Sequence, residues 1–416
     1  MATNSRANSD TPRTWPTDST SRVPSWVYVD PDIYAQELER IFYGPHWNYV
    51  ALEAELPAPF RFKTTRVGER SVIVVRDKAG EIHVLENRCA HRGVAFMQER
   101  AGEAKLLTCP YHQWCYSLNG ELRGLPFRAG VDGAGGMPED FQTKDFGLRR
   151  LKVARRHGVI FASFDETVQS FEDYLGEDML AYFDRVYSGR GLRVLGYSRQ
   201  RIPGNWKLMM ENIKDPYHPG LLHTWFVTFG LWRADQDSKM RMDGTGRHAC
   251  MISSRNRGGK AAVTEGVSSF KENMTLHDAR LLDIAPEPWW GAPSVVMQTV
   301  FPSVILQQQV NSLSVRQIQP HGPGAFDFVW THFGFEDDSE EMTERRLRQA
   351  NLFGPAGFVS ADDGEVIELA QSGLAANQRV FAVDEMDGRG AENADHMVTE
   401  ALIRGMYRYW REVMEI

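Results

Sequence analysis

Asn87-Arg88-Cys89-Ala90-His91-Arg92-Gly93 and Cys109-Pro110-Tyr111-His112-Gln113-Trp114 are the two stretches on which the reading of this chain turns. Each supplies one cysteine and one histidine, and 17 residues separate His91 from Cys109. Unlike ligands therefore sit together and like ligands apart. A Cys2His2 zinc site accepts the same residue types, but its familiar fingers keep two cysteines together and then two histidines. The interleaved order suits a [2Fe–2S] cluster in which Cys89 and Cys109 bind one iron and His91 and His112 the other, raising the reduction potential. Both stretches follow apolar runs, Ile82-His83-Val84-Leu85 and Leu106-Leu107, that read as strands. Two loops can thus close over one cluster from opposite sides.

Working outward, short β-rich runs alternate with Gly and Pro turns from Trp47 to about Phe164, among them Ser71-Val72-Ile73-Val74-Val75 and Val159-Ile160-Phe161. This pattern predicts an all-β module with the cluster loops at one end. Before it, Pro31 to Tyr43 reads as a short helix.

A second ligand set lies in Glu211-Asn212-Ile213-Lys214-Asp215-Pro216-Tyr217-His218-Pro219-Gly220-Leu221-Leu222-His223. Residues five apart do not share a helix face. Pro216 and Pro219, however, bias Asp215 and His218 away from helical backbone. A bent or broken helix results, and bending can bring His218 and His223 to one point. Two histidines with one carboxylate form the facial triad that suits non-haem Fe(II) oxygen chemistry. The carboxylate must come from elsewhere. Phe353-Gly354-Pro355-Ala356-Gly357-Phe358-Val359-Ser360-Ala361-Asp362-Asp363-Gly364-Glu365 offers Asp362, Asp363 and Glu365. Spacing alone does not choose among them, and Ser360 with Asp363 also fits a helix N-terminal capping box.

These motifs, Cys89-x-His91, Cys109-x2-His112 and Asn212-x2-Asp215-x-Tyr217-His218-x4-His223, resemble the large catalytic subunit of Rieske non-haem iron ring-hydroxylating oxygenases. Ser21-Arg22-Val23-Pro24, the block from Arg201 to Asp235, Phe353 to Glu368 and the last twenty residues resemble it too. The similarity covers nearly all of the chain beyond its N-terminal tail. It implies that the second member of the acidic pair, Asp363, is the third iron ligand. Asp215 would then orient an iron-bound histidine and link it to a cluster histidine across a subunit boundary, with Asn212 beside it. The positions that correspond to pocket residues are Asn212, Ile213, Pro219, Phe353 and Val359.

The resemblance also names the fold and the working assembly. The fold is α+β: an N-terminal tail and short helix packed on the catalytic domain (1–45), an all-β Rieske domain (46–165) and a helix-grip, START-like antiparallel-sheet domain (166–416). Each subunit would hold one Rieske [2Fe–2S] cluster and one mononuclear Fe(II), in a head-to-tail ring of three large subunits, with or without a small β subunit. A ferredoxin and an NADH-dependent reductase would supply electrons. The Arg201 to Asp235 block is most similar to members that hydroxylate salicylate to gentisate. Members acting on anthranilate, 2-halobenzoates or terephthalate as 1,2-dioxygenases are the near alternatives, so an aromatic carboxylate and O2 are the expected substrates. A non-enzymatic Rieske electron carrier is the remote alternative, and the second ligand set argues against it.

Composition bounds the rest. A chain of 416 residues exceeds one hydrophobic core, so more than one domain is expected. Apolar content of 42%, with 11 Trp and 22 Phe, supports packed domains over disorder. A net charge of −8 argues against a nucleic-acid partner. With four cysteines there is no disulfide framework; Cys115 and Cys250 read as free thiols, which fits a reducing cytoplasm. The polar residues from Met1 to about Thr20 lack the apolar stretch of a signal peptide, and no apolar run is long enough to span a membrane. Gly133-Ala134-Gly135-Gly136 lacks the spacing of a dinucleotide loop. NADH would therefore be oxidised by another protein.

In the second half, Phe171 to Phe183 has helical spacing, and Val304 to Val315 and Phe326 to Phe335 read as strands. Ala394 to Met414 reads as a long amphipathic helix. Gln307, Gln308 and Gln309 could put an amide into a cavity, although an outward position is expected for at least one. Arg233 could meet a substrate carboxylate, with a surface ion pair the stronger expectation.

Overall fold

The structure, a computed structural model, describes residues 13–416 apart from 17, 232–235, 255–266, 269–270, 272, 291–293 and 378. Arg233 thus lies outside the described residues. The fold joins a group of small β-sheets, drawn from residues 48–163, to one large antiparallel sheet with helices on it. The small sheets have three, four and three strands. The last of these, Leu107–Thr108, Cys115–Tyr116 and Leu122–Gly124, carries the second Cys/His loop.

The large sheet has seven strands in the spatial order Leu192–Ile202, Phe326–Phe335, Ser312–Pro320, Val304–Gln309, Ser294–Val300, Ala249–Ser254 and Asp237–Met242. Its central strands are buried along their whole length. Polar residues there must therefore be satisfied inside the protein. The single strand expected over 304–315 is instead a hairpin that turns at Val310 and Asn311. Val310 sits at φ 47°, a conformation a β-branched residue rarely adopts, so its sequence gives no turn signal. The turn is held by its surroundings. Asn311 bonds to Ala285 and Glu287 through its side chain, and its main chain bonds to Gln349 and Arg346.

Helix boundaries depart from expectation in three places. The segment from Phe171 to Phe183 is two helices, Phe171–Leu175 and Glu177–Val186, separated by Gly176 at φ 77°. The C-terminal helix covers Ala401–Met414 only, because Ala394 pairs with Met240 at the edge of the sheet. The helix Phe358–Ala376 starts after Gly357, which places Ser360 and Asp363 within it. The capping box is therefore absent. Ser360 instead donates its hydroxyl to Gln200 at 3.0 Å.

The N-terminal helix Pro31–Glu37 is capped by Asp30, which accepts from the Asp32 and Ile33 N–H groups, and it runs on as one wide turn over Leu38–Phe42. It is tied to the large-sheet half by the buried Glu37 carboxylate. That group accepts from the indole N–H of Trp206 and of Trp410, both at 2.8 Å, and pairs with Lys207 Nζ at 2.7 Å. Losing one member of such a buried pair typically costs about 3–5 kcal/mol. Among the described residues, no helix is long and apolar enough to cross a membrane.

Candidate metal centres

The two Cys/His loops are built alike. In the first, the Cys89 N–H donates to Val94 C=O and the Cys89 C=O accepts from Gly93 N–H, both at 2.9 Å. In the second, the Cys109 N–H donates to Trp114 C=O and the Cys109 C=O accepts from Gln113 N–H, also at 2.9 Å. Gly93 (φ 72°) and Gln113 (φ 54°) occupy the same left-handed turn position. Glycine adopts it freely, whereas Gln113 gives no such signal. The loops face each other, with the His91 and His112 rings 4.5 Å apart.

Both cysteines are buried at the base of the loops, and the histidines lie further out, His112 being exposed. Burial, together with the Cys89 sulfur beside it, pushes the Cys109 thiol up from its ordinary value. The Tyr116 hydroxyl meets Cys89 Sγ at 3.2 Å and accepts from Ala90 N–H at 3.1 Å. Trp114 stacks flat on His91 at 4.9 Å, fixing that ring. His91 Nδ1 is buried without a hydrogen-bond partner. A buried imidazole nitrogen with no partner suits a metal ligand, and two thiols with two imidazoles on facing loops fit an iron–sulfur cluster. Cys115, three residues beyond His112, instead accepts a weak hydrogen bond from Thr108 at 3.5 Å. Cys115 and Cys250 are both free thiols.

The second centre is made by a broken helix, as its prolines require. Asn205 caps the first helix, Trp206–Lys214, by accepting from Lys207 N–H. Asp215 then turns extended before Pro216, and its Oδ1 accepts from Tyr217 and His218 N–H groups. A one-turn helix follows over Pro219–Leu222, and another runs over Thr224–Thr228. His218 and His223 stand at the two junctions. Their Nε2 atoms face Asp363 Oδ1 at 3.5 and 3.3 Å respectively. The donor atoms of these three residues all lie within 4.8 Å of one another.

Behind the imidazoles stand two further carboxylates. Asp362 Oδ2 is hydrogen-bonded to His223 Nδ1 at 3.1 Å. Asp215 Oδ2 lies 3.3 Å from His218 Nδ1, an electrostatic contact off the hydrogen-bond direction. Asn212 Nδ2 donates to Asp363 Oδ1 at 3.1 Å. Burial would lower His218, but the Asp215 and Asp363 carboxylates overcome it and raise His218 to about 10. Burial acts upward on Asp363 as well, yet the two histidines hold it well below the usual carboxylate range. An anionic carboxylate facing two imidazoles could hold a divalent cation in place of the shared protons. Glu365 does not join this group.

A cavity opens from this centre. Asn212, Ile213, Pro219, Phe353 and Val359 line it, together with residues that sequence reading did not place there: Phe226, Met251, Met297, Arg316 and Trp330. Gln307 and Gln309 also face the cavity, and Gln307 Nε2 donates to Gln309 Oε1 at 2.6 Å. Gln308 points the other way and accepts from Arg185 at 2.9 Å. Alternation along the strand explains the split. None of the three points to solvent, contrary to the outward position expected for at least one.

Residues 46–134 match the Rieske [2Fe-2S] domain, and residues 185–416 match the ring hydroxylating alpha subunit (catalytic domain). The chain is 64% identical over 405 residues to a salicylate 5-hydroxylase large oxygenase component from Ralstonia sp, covering 96% of each. It is 39% identical to an anthranilate 1,2-dioxygenase large subunit from Burkholderia cepacia, covering 96% of this chain and 95% of that one. Its fold is similar to naphthalene 1,2-dioxygenase from Rhodococcus sp. bound to indole, with a TM-score of 0.78, 25% identity and 94% of each chain covered. With a Rieske domain joined to a catalytic domain that extends to residue 416, this chain belongs to the ring-hydroxylating oxygenase alpha-subunit family.

Proposed function

We propose that this chain is the large subunit of a terminal oxygenase that hydroxylates an ortho-substituted benzoate, with salicylate converted to gentisate. The observation that carries the substrate is the 64% identity, across 96% of both chains, to a salicylate 5-hydroxylase component. In the overall change, salicylate, O2, two electrons and two protons give gentisate and water.

In this reading Cys89 and Cys109 hold one iron of the cluster, and His91 and His112 hold the other. His218, His223 and Asp363 hold the mononuclear iron. When bound, the cluster supplies single electrons and the mononuclear iron supplies O2 activation. The surrounding residues position these ligands. Asp362 holds His223 by its Nδ1, and Asn212 holds Asp363. Trp114 and Tyr116 hold His91 and Cys89. Ile213, Pro219, Phe353 and Val359 form apolar walls that keep water from the ring and orient it.

Asp215 is the proposed bridge for electrons, working from His112 of one subunit to His218 of the next in a head-to-tail ring. The exposure of His112, beside the exposed Tyr111, supports a cluster edge that docks against another subunit. A ring of three large subunits, with or without a small β subunit, follows from this reading. Electrons would arrive from NADH through a reductase and a ferredoxin. Domain limits of 46–165 and 166–416, with residues 1–45 packed on the latter, and a cytoplasmic setting belong to the same proposal.

The test is a panel of 2-substituted benzoates with reconstituted reductase and ferredoxin, products identified by mass. Gentisate from salicylate is expected. Turnover of anthranilate or a 2-halobenzoate with loss of the ortho substituent, and none of salicylate, would favour the 1,2-dioxygenase reading instead.

A further inference from the structure

A second crevice, of about 380 Å³, lies on the opposite face of the large sheet from the mononuclear centre. Arg316 and Trp330 line the cavity beside His218, His223 and Asp363, whereas their strand neighbours Gln317, Gln319, Val329 and Thr331 line the crevice. Successive strand residues point to opposite faces, so the sheet itself divides the two spaces. The facing wall is the strand Arg61–Val67 of the Rieske domain with residues from the segment 95–101. Ligand sites form preferentially where two domains meet in this way. The walls are bonded to each other at the base. Gln317 Nε2 donates to the Tyr49 and Arg66 C=O groups at 2.9 and 3.0 Å, and the Thr65 hydroxyl donates to Gln317 Oε1 at 3.2 Å.

Charge around the crevice is one-sided. Its lining includes Lys63, Arg66, Arg100 and Arg199 but a single carboxylate, Glu55. Glu55 is already engaged by Lys63 Nζ and by the Tyr197 hydroxyl, both at 2.8 Å. Arg199 comes within 3.5 Å of Asp327, a carboxylate that also serves Arg201 and His321. Among the described residues Arg66 and Arg100 make no ion pair, and Arg66 Nη1 donates to the Glu69 C=O at 3.3 Å. The wall also contains Tyr49, whose hydroxyl is buried without a hydrogen-bond partner. Guanidinium forks match the oxygens of a phosphate or a carboxylate. Two of them without carboxylates leave two positive charges to be met.

We infer that this crevice binds a small organic dianion, a phosphate monoester or a dicarboxylate, with Arg66 and Arg100 as its charged partners. The occupant ties the large sheet to the Rieske domain beside the first cluster loop. Asn87 lines the crevice and stands two residues before Cys89. Its Oδ1 accepts from the Phe96 and Met97 N–H groups at 3.1 and 3.0 Å, and its Nδ2 donates to the Met97 C=O at 2.8 Å. The site shares no lining residue with the cavity of the mononuclear centre, so it stands apart from the substrate reading.

The experiment is calorimetric titration of the holoprotein with glycerol 3-phosphate, succinate and acetate at constant ionic strength. Wild type is expected to bind one dianion per chain, at least about 10-fold more tightly than acetate, the scale of charge-assisted hydrogen bonds. Which of the two dianions binds tells a phosphate monoester from a dicarboxylate. The double variant Arg66→Gln/Arg100→Gln should weaken that binding about 10–100-fold. Arg61→Gln, on the same strand but outside the crevice, should change it less than about 3-fold. Both variants should keep the visible cluster spectrum. Filling the metal cavity with salicylate should leave the dianion affinity unchanged. The inference is overturned if neither dianion binds saturably, if the double variant binds as wild type does, if Arg61→Gln loses as much as the double variant, or if salicylate competes. Should the double variant not fold, the wild-type preference over acetate and the absence of competition by salicylate decide.

Discussion

Asp362 and His223 share a hydrogen bond of 3.1 Å between Oδ2 and Nδ1. Adjacent acidic residues on one helix thereby take opposite sides of the same imidazole, since Asp363 faces Nε2. Consecutive helical residues point about 100° apart, so one carboxylate reaches the centre and the other reaches behind it. Asp363→Ala should remove the mononuclear iron and all turnover while keeping the cluster spectrum. Asp362→Ala should retain much of the iron and lose about 10–100-fold in metal affinity or activity, as is usual when a partner behind a ligand is removed. Iron content together with visible absorption checks both. The reverse pattern would exchange their roles.

His112→Cys tests the cluster. The two loops already hold the four side chains in matching turns, so a thiolate at 112 should still assemble an iron–sulfur chromophore. Its reduction potential should fall towards that of an all-Cys cluster. Redox titration followed by absorbance or electron paramagnetic resonance reads the change, and an unchanged potential would remove His112 from the ligand set.

Acid stability has a source remote from both centres. Burial, helped by the charge of Arg247, holds His46 at about 3, whereas an unfolded histidine titrates near about 6.5. The unfolded state therefore takes up this proton first. His46's contribution to stability is complete above about pH 6.5 and is lost as pH falls towards the folded value, at up to about 1.4 kcal/mol per pH unit. His46→Gln should flatten this acid limb. It should also cost about 1–3 kcal/mol at neutral pH, because it breaks the 2.9 Å contact with the Tyr409 hydroxyl. Chemical denaturation from pH 7.5 to 4.5 measures both effects.

Legibility in the sequence followed how local each signal is. The interleaved Cys89/His91 and Cys109/His112 pairs, and a helix that must break between His218 and His223, are set by neighbours along the chain. Prolines and ligand spacing reveal them. The hairpin at Val310 was hidden because contacts from residues 285, 287, 346 and 349 impose the turn on a β-branched residue. The division of labour between Asp362 and Asp363 depends on how the helix Phe358–Ala376 rolls against His223, and no local pattern encodes that. Arg316 was missed for a related reason. In Ser314-Val315-Arg316-Gln317 it alternates like an exposed strand residue, and only the strands on both sides make it interior.

Electron transfer in the proposed ring depends most on Asp215 as the proposed link between the two centres. Asp215 accepts from two backbone N–H groups and faces His218 Nδ1, so Asp215→Asn should keep the oligomer, the cluster spectrum and most of the mononuclear iron. The decisive measurement is a single turnover. The cluster is reduced, salicylate and O2 are added, and cluster re-oxidation is followed alongside product. Wild type should re-oxidise in step with gentisate, and Asp215→Asn should stay reduced and form at least about 10–100-fold less product. Re-oxidation and product formation at the wild-type rate in Asp215→Asn would contradict the account.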